Sequence, residues 1–307
     1  MILILGALAD GAIAYLIHRL TERKSRFLLL DPRLHGHGFD LEWETNGRNL
    51  SGRVRHDGQV TSLAEVRSVY VHHIHLPRDE RQPMASPPPP LQDHDSYWLL
   101  HHFLETAPIL VCNRPSATAT NFSKTFQQQI IASHGFRVPR TLATNLPGEA
   151  RAFYEECRRR VIYKSLSARR SIVKRMTKAD LGRLDDVRTC PTQFQEWVPG
   201  VDIRVHVVGD RVFPTEIVTE ATDYRYSGRE GLSRSMRATE LPDDIASRCV
   251  ELTKGLGMVI GGVDLRRSLD GQYYCFEVNP TPAFMFYQQY TGQRIGDALV
   301  DVLVGGT

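Results

Sequence analysis

Apolar positions near the start of the chain fall into short runs. Ile2 to Leu5 is an unbroken apolar tetrad, as expected of a strand buried on both faces. A turn around Gly6 and Gly11 leads into a helical run from Ala12 to Leu20, and Phe27 to Leu30 predicts a second strand stopped by Asp31-Pro32. Such strands alternating with helical patterns predict an α/β unit with a partly parallel sheet. Residues 81–90 end in SPPPP and predict a stiff, exposed spacer. A helix over Asp93 to Glu105 and a strand over Ile109 to Cys112 close this region.

The pattern changes near residue 113. SATATNFSKTFQQQIIASHG is helical, with Phe126, Ile130 and Ile131 as its apolar stripe and Gly135 at its C-terminus. PGEARAFYEECRRR predicts a second helix around Phe153 and Cys157; RVIYK and SIVKRM predict strands, and a small α+β unit ends near FQEWV. A hairpin follows in VDIRVHVV-GD-RVFPTEIV: Ile203, Val205 and Val207 share one face, Asp202, Arg204 and His206 the other. Pro242 to Gly257 predicts a helix capped by Asp243 or Asp244, and Arg294 to Leu303 predicts the last one.

Between those helices lies GGVDLRRSLDGQYYCFEVNP. Asp270-Gly271 favours a two-residue hairpin turn, and counting outward from it places Asp264 opposite Glu277. Like charges opposed across a ladder destabilise it, and Asn279 falls on the same face. Two carboxylates and an amide on one face suit Mg²⁺, a hard cation that takes oxygen ligands and would supply the missing positive charge. The plain alternative is a solvated acidic face.

At 307 residues the chain is long enough for two or three domains. It is 41% hydrophobic and 24% charged, with a net charge of +3, too small to argue for nucleic acid or a membrane surface as partner. Five scattered cysteines without a CxxC argue against a disulfide framework or zinc site and fit a reducing cytoplasm. Asp10 interrupts the apolar N-terminal run and no basic segment precedes it, so a signal peptide or membrane span is not expected. A homodimer is the default assembly.

Lys164 ends a strand and Lys124 opens the middle region; with the acidic hairpin they form a candidate phosphate clamp, each alone reading as a surface lysine. FQEWVPG reads as a connector whose exposed backbone groups can meet an adenine edge, with Asp202 beyond it for ribose hydroxyls, or else as an ordinary strand and turn. His72, His73 and His75 read as polar rings at a strand end without a close carboxylate. Arg158 to Arg160 with Arg169 and Arg170 read equally as an acidic-peptide site or a solvated helix end. Phe284, Phe286, Tyr287 and Tyr290 read as an acceptor pocket or as packing beneath the last helix.

Taken in order, Lys124, Lys164, QEWVPGVDIR, GGVDL and FEVNP resemble the ATP-grasp superfamily over residues 115–305. SKTFQQQIIASHGFRVPRTLATN, VIYKSL, FQEWVPGVDIRVHVVGDRVF and TDYRY resemble its RimK-like branch, nearest the microviridin-type (graspetide) peptide ligases. The resemblance implies an ATP-grasp fold of mixed α/β and α+β class. A pre-ATP-grasp α/β domain would span 1–114, a central subdomain 115–198 and a C-terminal subdomain with the metal hairpin 199–307, with ATP between the last two.

It further implies that Lys124 and Lys164 hold phosphates, Lys164 also acting in catalysis. Gln195, Glu196, Trp197 and Val198 would surround adenine, Asp202 would bind ribose, and Asp264, Glu277 and Asn279 would ligate Mg²⁺. Arg225, in TDYRY, matches the arginine of the peptide-ligase D-W-R motif and would steady the transferring phosphate, with Arg204 as second candidate. The loop after Lys164 lacks glycine, so Ser167, Arg169 and Arg170 would contact phosphate through side chains. The implied activity is ATP-dependent ligation of a carboxylate to an amine or hydroxyl through an acyl phosphate, on a ribosomally made peptide. The rivals are a RimK-like enzyme that adds an amino acid to a peptide, protein or small acid, and a nucleotide-binding protein without turnover.

Overall fold

The computed structural model describes residues 1–34, 38–47, 49–72, 91–166, 173–219 and 233–306. The chain begins with β1 (Ile2–Leu5), α1 (Gly11–Glu22) and β2 (Phe27–Leu30), as the apolar runs require. A meander of β3 (Phe39–Asn46), β4 (Asn49–His56) and β5 (Gln59–Ser62) then forms an antiparallel sheet of its own. β6 (Ser68–Val71), α2 (Leu91–Thr106) and β7 (Leu110–Cys112) return to the first sheet, whose order is β2-β1-β6-β7 and whose pairings are all parallel.

Next come α3 (Pro115–Thr118), α4 (Lys124–Ser133), β8 (Thr141–Thr144), α5 (Pro147–Glu156), β9 (Val161–Ser165), β10 (Lys174–Arg175) and β11 (Thr192–Glu196). The strands form an antiparallel sheet ordered β10-β9-β11-β8. One face, through Val161 and Phe194, packs on Ala150, Phe153 and Tyr154 of α5. The other carries Lys164, Gln193 and Gln195, all buried.

The last sheet is built from β12 (Gly200–Val208), β13 (Arg211–Thr219), β14 (Arg234–Ala238), β15 (Ile260–Ser268) and β16 (Tyr273–Asn279), ordered β14-β13-β12-β15-β16. Ile203, Val205 and Val207 pack with Ile245, Cys249 and Leu252 of α6 (Asp243–Gly255). On the opposite face, Val208 and Ile260 share a core with α1, α7 (Phe284–Thr291) and α8 (Ile295–Gly305). There Tyr15, Arg19 and Arg294 converge on buried Asp297, tying the first helix to the last. No helix of the described residues is long and apolar enough to cross a membrane.

Two local expectations are corrected. Pro242 occupies the cap of α6, with Asp243 and Asp244 in its first turn, where their charges still complement the helix dipole. Phe126 lies exposed on α4; the buried positions are Gln127, Gln128 and Ile131, because this helix runs beside a strand edge that needs polar partners.

Candidate active site

The acidic hairpin keeps its expected pairing for an unexpected reason. Its loop has three residues, Leu269 to Gly271: the Gly271 amide donates to the Ser268 carbonyl at 2.9 Å and Gly271 takes φ +79°. This is a type I turn closed by a left-handed residue. By itself the longer loop would shift every pair by one. Phe276 restores the register as an extra residue on β16, between the pairs Asp264–Glu277 and Leu265–Cys275. Asp264 therefore faces Glu277.

Protein cations lie against both carboxylates and offset their repulsion. Arg204, directly opposite Asp264 on β12, donates from Nε to Asp264 Oδ1 at 2.9 Å and from Nη1 to the Gly262 carbonyl at 3.1 Å. A Cβ at Gly262 would lie 2.6 Å from that Nη1, so only glycine leaves room for the guanidinium. Lys124 Nζ sits 3.0 Å from Glu277 Oε2. Arg204, Asp264, Glu277 and Lys124 thus form a ladder of two carboxylates between two cations. Beside it, Arg266 and Asp202 form the same kind of pair with the strands exchanged, joined by bonds of 2.7 and 2.9 Å.

Gln127 sets the place of Lys124, and sequence reading missed it. It is 1% exposed. Its Oε1 accepts from the Val278 amide at 2.9 Å and its Nε2 donates to the Val278 carbonyl at 3.0 Å, so it pairs with edge strand β16 as a neighbouring strand would. Lys124 lies one helical turn earlier and lands on Glu277, the neighbour of Val278. The signal was a glutamine in the buried stripe. Gln127→Met keeps the shape and leaves two buried backbone groups unpaired, so urea denaturation should show a loss of about 2–4 kcal/mol.

The donor set fits a hard cation. Asn279 donates from Nδ2 to Asp264 Oδ2 at 3.2 Å, which turns its Oδ1 away as a neutral donor beside the two carboxylates. No cluster of three or more His, Cys, Asp or Glu occurs among the described residues, and Mg²⁺ needs none, since one or two carboxylates with phosphate oxygens and water suffice.

In the middle sheet, Lys164 is the last residue but one of β9, is 8% exposed, and shares with Gln193 and Gln195 the face opposite the α5 core. The Glu196 and Trp197 amides pair with the carbonyls of Arg140 and Arg160, so these two connector amides do not stand open as expected. The Arg175 guanidinium lies 4.1 Å from the centre of the Trp197 ring. The Val198 carbonyl accepts from Arg266 at 2.9 Å, linking the connector to the Asp202 pair. Arg225, Ser167, Arg169, Arg170, His73, His75 and the spacer at 81–90 lie outside the described residues.

Other candidate groups resolve into packing. His72 does have a close carboxylate, Asp10 at 3.1 Å, and bonds Tyr70 through its other nitrogen; Asp10 also caps α1. Phe284 and Tyr287 belong to the shared core beneath α8, while Tyr290 is exposed. Cys112, Cys157, Cys249 and Cys275 are buried, and burial pushes the Cys249 thiol up to about 12, away from nucleophilic thiolate.

His206 stacks edge-on against Tyr287 at 4.6 Å, is fully buried, and neither ring nitrogen has a hydrogen-bond partner. Burial, and then the charge of Arg204, hold this imidazole well below its ordinary value. The folded ring stays neutral while the unfolded one gains a proton below about pH 6.5. The resulting stability is full above that pH and is lost as pH falls toward the folded value. The fall in Tm between about pH 7.5 and about pH 5.5 should therefore be smaller in His206→Phe than in the unaltered protein.

Residues 122–303 match the RimK-like ATP-grasp domain. Among curated relatives, β-citrylglutamate synthase B of Danio rerio is 26% identical over 229 residues, 71% of this chain and 56% of that protein. A probable α-L-glutamate ligase of Pasteurella multocida is 26% identical over 204 residues, 63% of this chain and 64% of its own length. The chain thus spans between half and two thirds of these relatives. Among solved structures, the ATP-grasp ligase PsnB, complexed with minimal precursor, Mg and ADP, is 25% identical at a TM-score of 0.82, covering 99% of this chain and 97% of PsnB. PsnB is also solved with precursor peptide PsnA2 and AMPPNP.

Proposed function

As this chain belongs to the RimK-like ATP-grasp family, we propose that it is an ATP- and Mg²⁺-dependent ligase that joins a carboxylate to an amine or hydroxyl within a ribosomally made peptide. The observation that carries the chemistry is the Arg204–Asp264–Glu277–Lys124 ladder on the last sheet, with the buried Lys164 on the middle sheet as a further cation. Phosphoryl transfer asks a protein for positioning and charge neutralisation rather than a covalent nucleophile. We assign Lys124 and Lys164 to phosphate, Asp264, Glu277 and Asn279 to the cation, and Gln195 through Val198 with Asp202 to the nucleoside. Arg204 steadies the transferring group, a role Arg225 shares in this reading. A bound Mg²⁺ offsets phosphate charge, and Lys124 is then available to exchange its carboxylate for phosphate.

The peptide substrate rests on PsnB, which matches this chain from end to end and is solved with its precursor. The curated relatives favour a second reading, addition of an amino acid such as glutamate to a small acid or peptide end. Mass spectrometry decides between them. Incubated with ATP, Mg²⁺ and the short peptide encoded beside it, the protein should release ADP and lower the peptide mass by one water per bond. A mass gain of one amino-acid residue would favour the second reading. ATP binding without ADP release on any carboxylate would leave a non-catalytic nucleotide-binding protein. We further propose a homodimer, the commonest closed assembly, to be checked by light scattering.

A further inference from the structure

Gln193 is 2% exposed on the sheet face that carries Lys164, and its Nε2 has no hydrogen-bond partner. It stands opposite Lys164 on one side and the small Ala143 on the other. Gln195, two positions on and 1% exposed, shares that face.

The direction of the Gln195 amide is fixed by its surroundings. The Thr141 hydroxyl donates to the Pro139 carbonyl at 3.1 Å, so its oxygen is left to accept from Gln195 Nε2 at 3.0 Å. Gln195 therefore presents its Oε1, an acceptor, while Gln193 presents an unmatched donor. Buried amide donors are rarely left unpaired, so this one awaits an acceptor from outside the chain.

A donor beside an acceptor complements the adenine edge, where the N6 amine lies next to N7. Guanine shows acceptors at both places, and its O6 would meet the Gln195 oxygen. Gln193 lies on the Lys164 side of Gln195, toward the phosphates, as N7 lies toward the sugar and phosphates relative to N6.

We propose that Gln193 and Gln195 read N7 and N6 of adenine and make the protein select ATP over GTP. The proposal rests on the nucleotide-dependent ligase reading above and adds the residues that choose the base.

Calorimetric titration of the unaltered protein with Mg²⁺ and ATP, 7-deaza-ATP or GTP tests it. Loss of the N7 acceptor should weaken binding about five- to tenfold, and GTP should bind about 10- to 100-fold more weakly than ATP. Gln193→Leu should bind ATP as weakly as the unaltered protein binds 7-deaza-ATP, and should not distinguish the two. Equal binding of ATP and 7-deaza-ATP by the unaltered protein, or equal binding of ATP and GTP, overturns the proposal while leaving the ligase reading standing. Discrimination that persists in Gln193→Leu overturns the role of Gln193. Failure to bind any adenine nucleotide overturns both.

Discussion

Glu277→Gln should lower ADP release by about 10³-fold, the scale of the several kcal/mol that an oriented cation contributes to a phosphoryl transition state. Three features set the size. Glu277 is 8% exposed, so its charge acts in a poorly screened place. It is one of two carboxylates in the candidate cation site, so its loss halves the negative charge offered. It also holds Lys124 at 3.0 Å, and the glutamine leaves that ammonium beside a neutral amide. The substitution keeps size and shape, so the fold should survive while the Mg²⁺ concentration needed for half-maximal activity rises. Steady-state ADP release across a Mg²⁺ series measures both quantities. Activity within about threefold of the unaltered protein at every Mg²⁺ concentration would remove Glu277 from the site. Lys124→Met combined with Glu277→Gln should cost less than the two single losses together, because the residues form one pair.

The strands that frame this site were legible because their signals are local. Ile2 to Leu5 is apolar throughout, and β12 alternates Ile203, Val205 and Val207 with Asp202, Arg204 and His206. The facing of Asp264 and Glu277 was also legible, although the turn chemistry behind it was misread. A three-residue loop and a bulge at Phe276 offset each other, and neither can be deduced from Asp270-Gly271 alone. What stayed hidden depends on contacts distant in sequence. Gln127 meets Val278 across 151 positions and Arg204 meets Gly262 across 58, and no periodicity reports such partners. The meander from Phe39 to Ser62 carries a period-two alternation, Phe39, Leu41 and Trp43 against Asp40, Glu42 and Glu44, but its charged outer face leaves no apolar run. Read from sequence, the repulsion between Asp264 and Glu277 called for a metal. The fold also sets Arg204 against Asp264 and Lys124 against Glu277, two cations that the sequence pattern did not pair with these carboxylates.

That pairing makes Arg204 the second position where a large effect is expected. Arg204 is 7% exposed, bonds Asp264 and the Gly262 carbonyl, and lies 5.7 Å from the centre of the Tyr287 ring. Arg204→Met retains much of the packing and deletes the charge, leaving Asp264 opposite Glu277 with one cation fewer. Breaking a buried pair from one side costs about 3–5 kcal/mol, so the variant should melt well below the unaltered protein in metal-free buffer. The same excess of negative charge should strengthen cation binding, and a ligand that binds only the folded state raises Tm with its concentration. Millimolar Mg²⁺ should therefore raise the Tm of Arg204→Met more than that of the unaltered protein, and adding Asp264→Asn should abolish the difference. ADP release should fall by about 10²- to 10³-fold even at saturating Mg²⁺, because a dication restores the charge but not the guanidinium donors. Differential scanning fluorimetry across a Mg²⁺ series separates the two roles. If Mg²⁺ stabilises both proteins equally, the acidic pair is not where the cation binds, and Arg204 acts on the carboxylates alone.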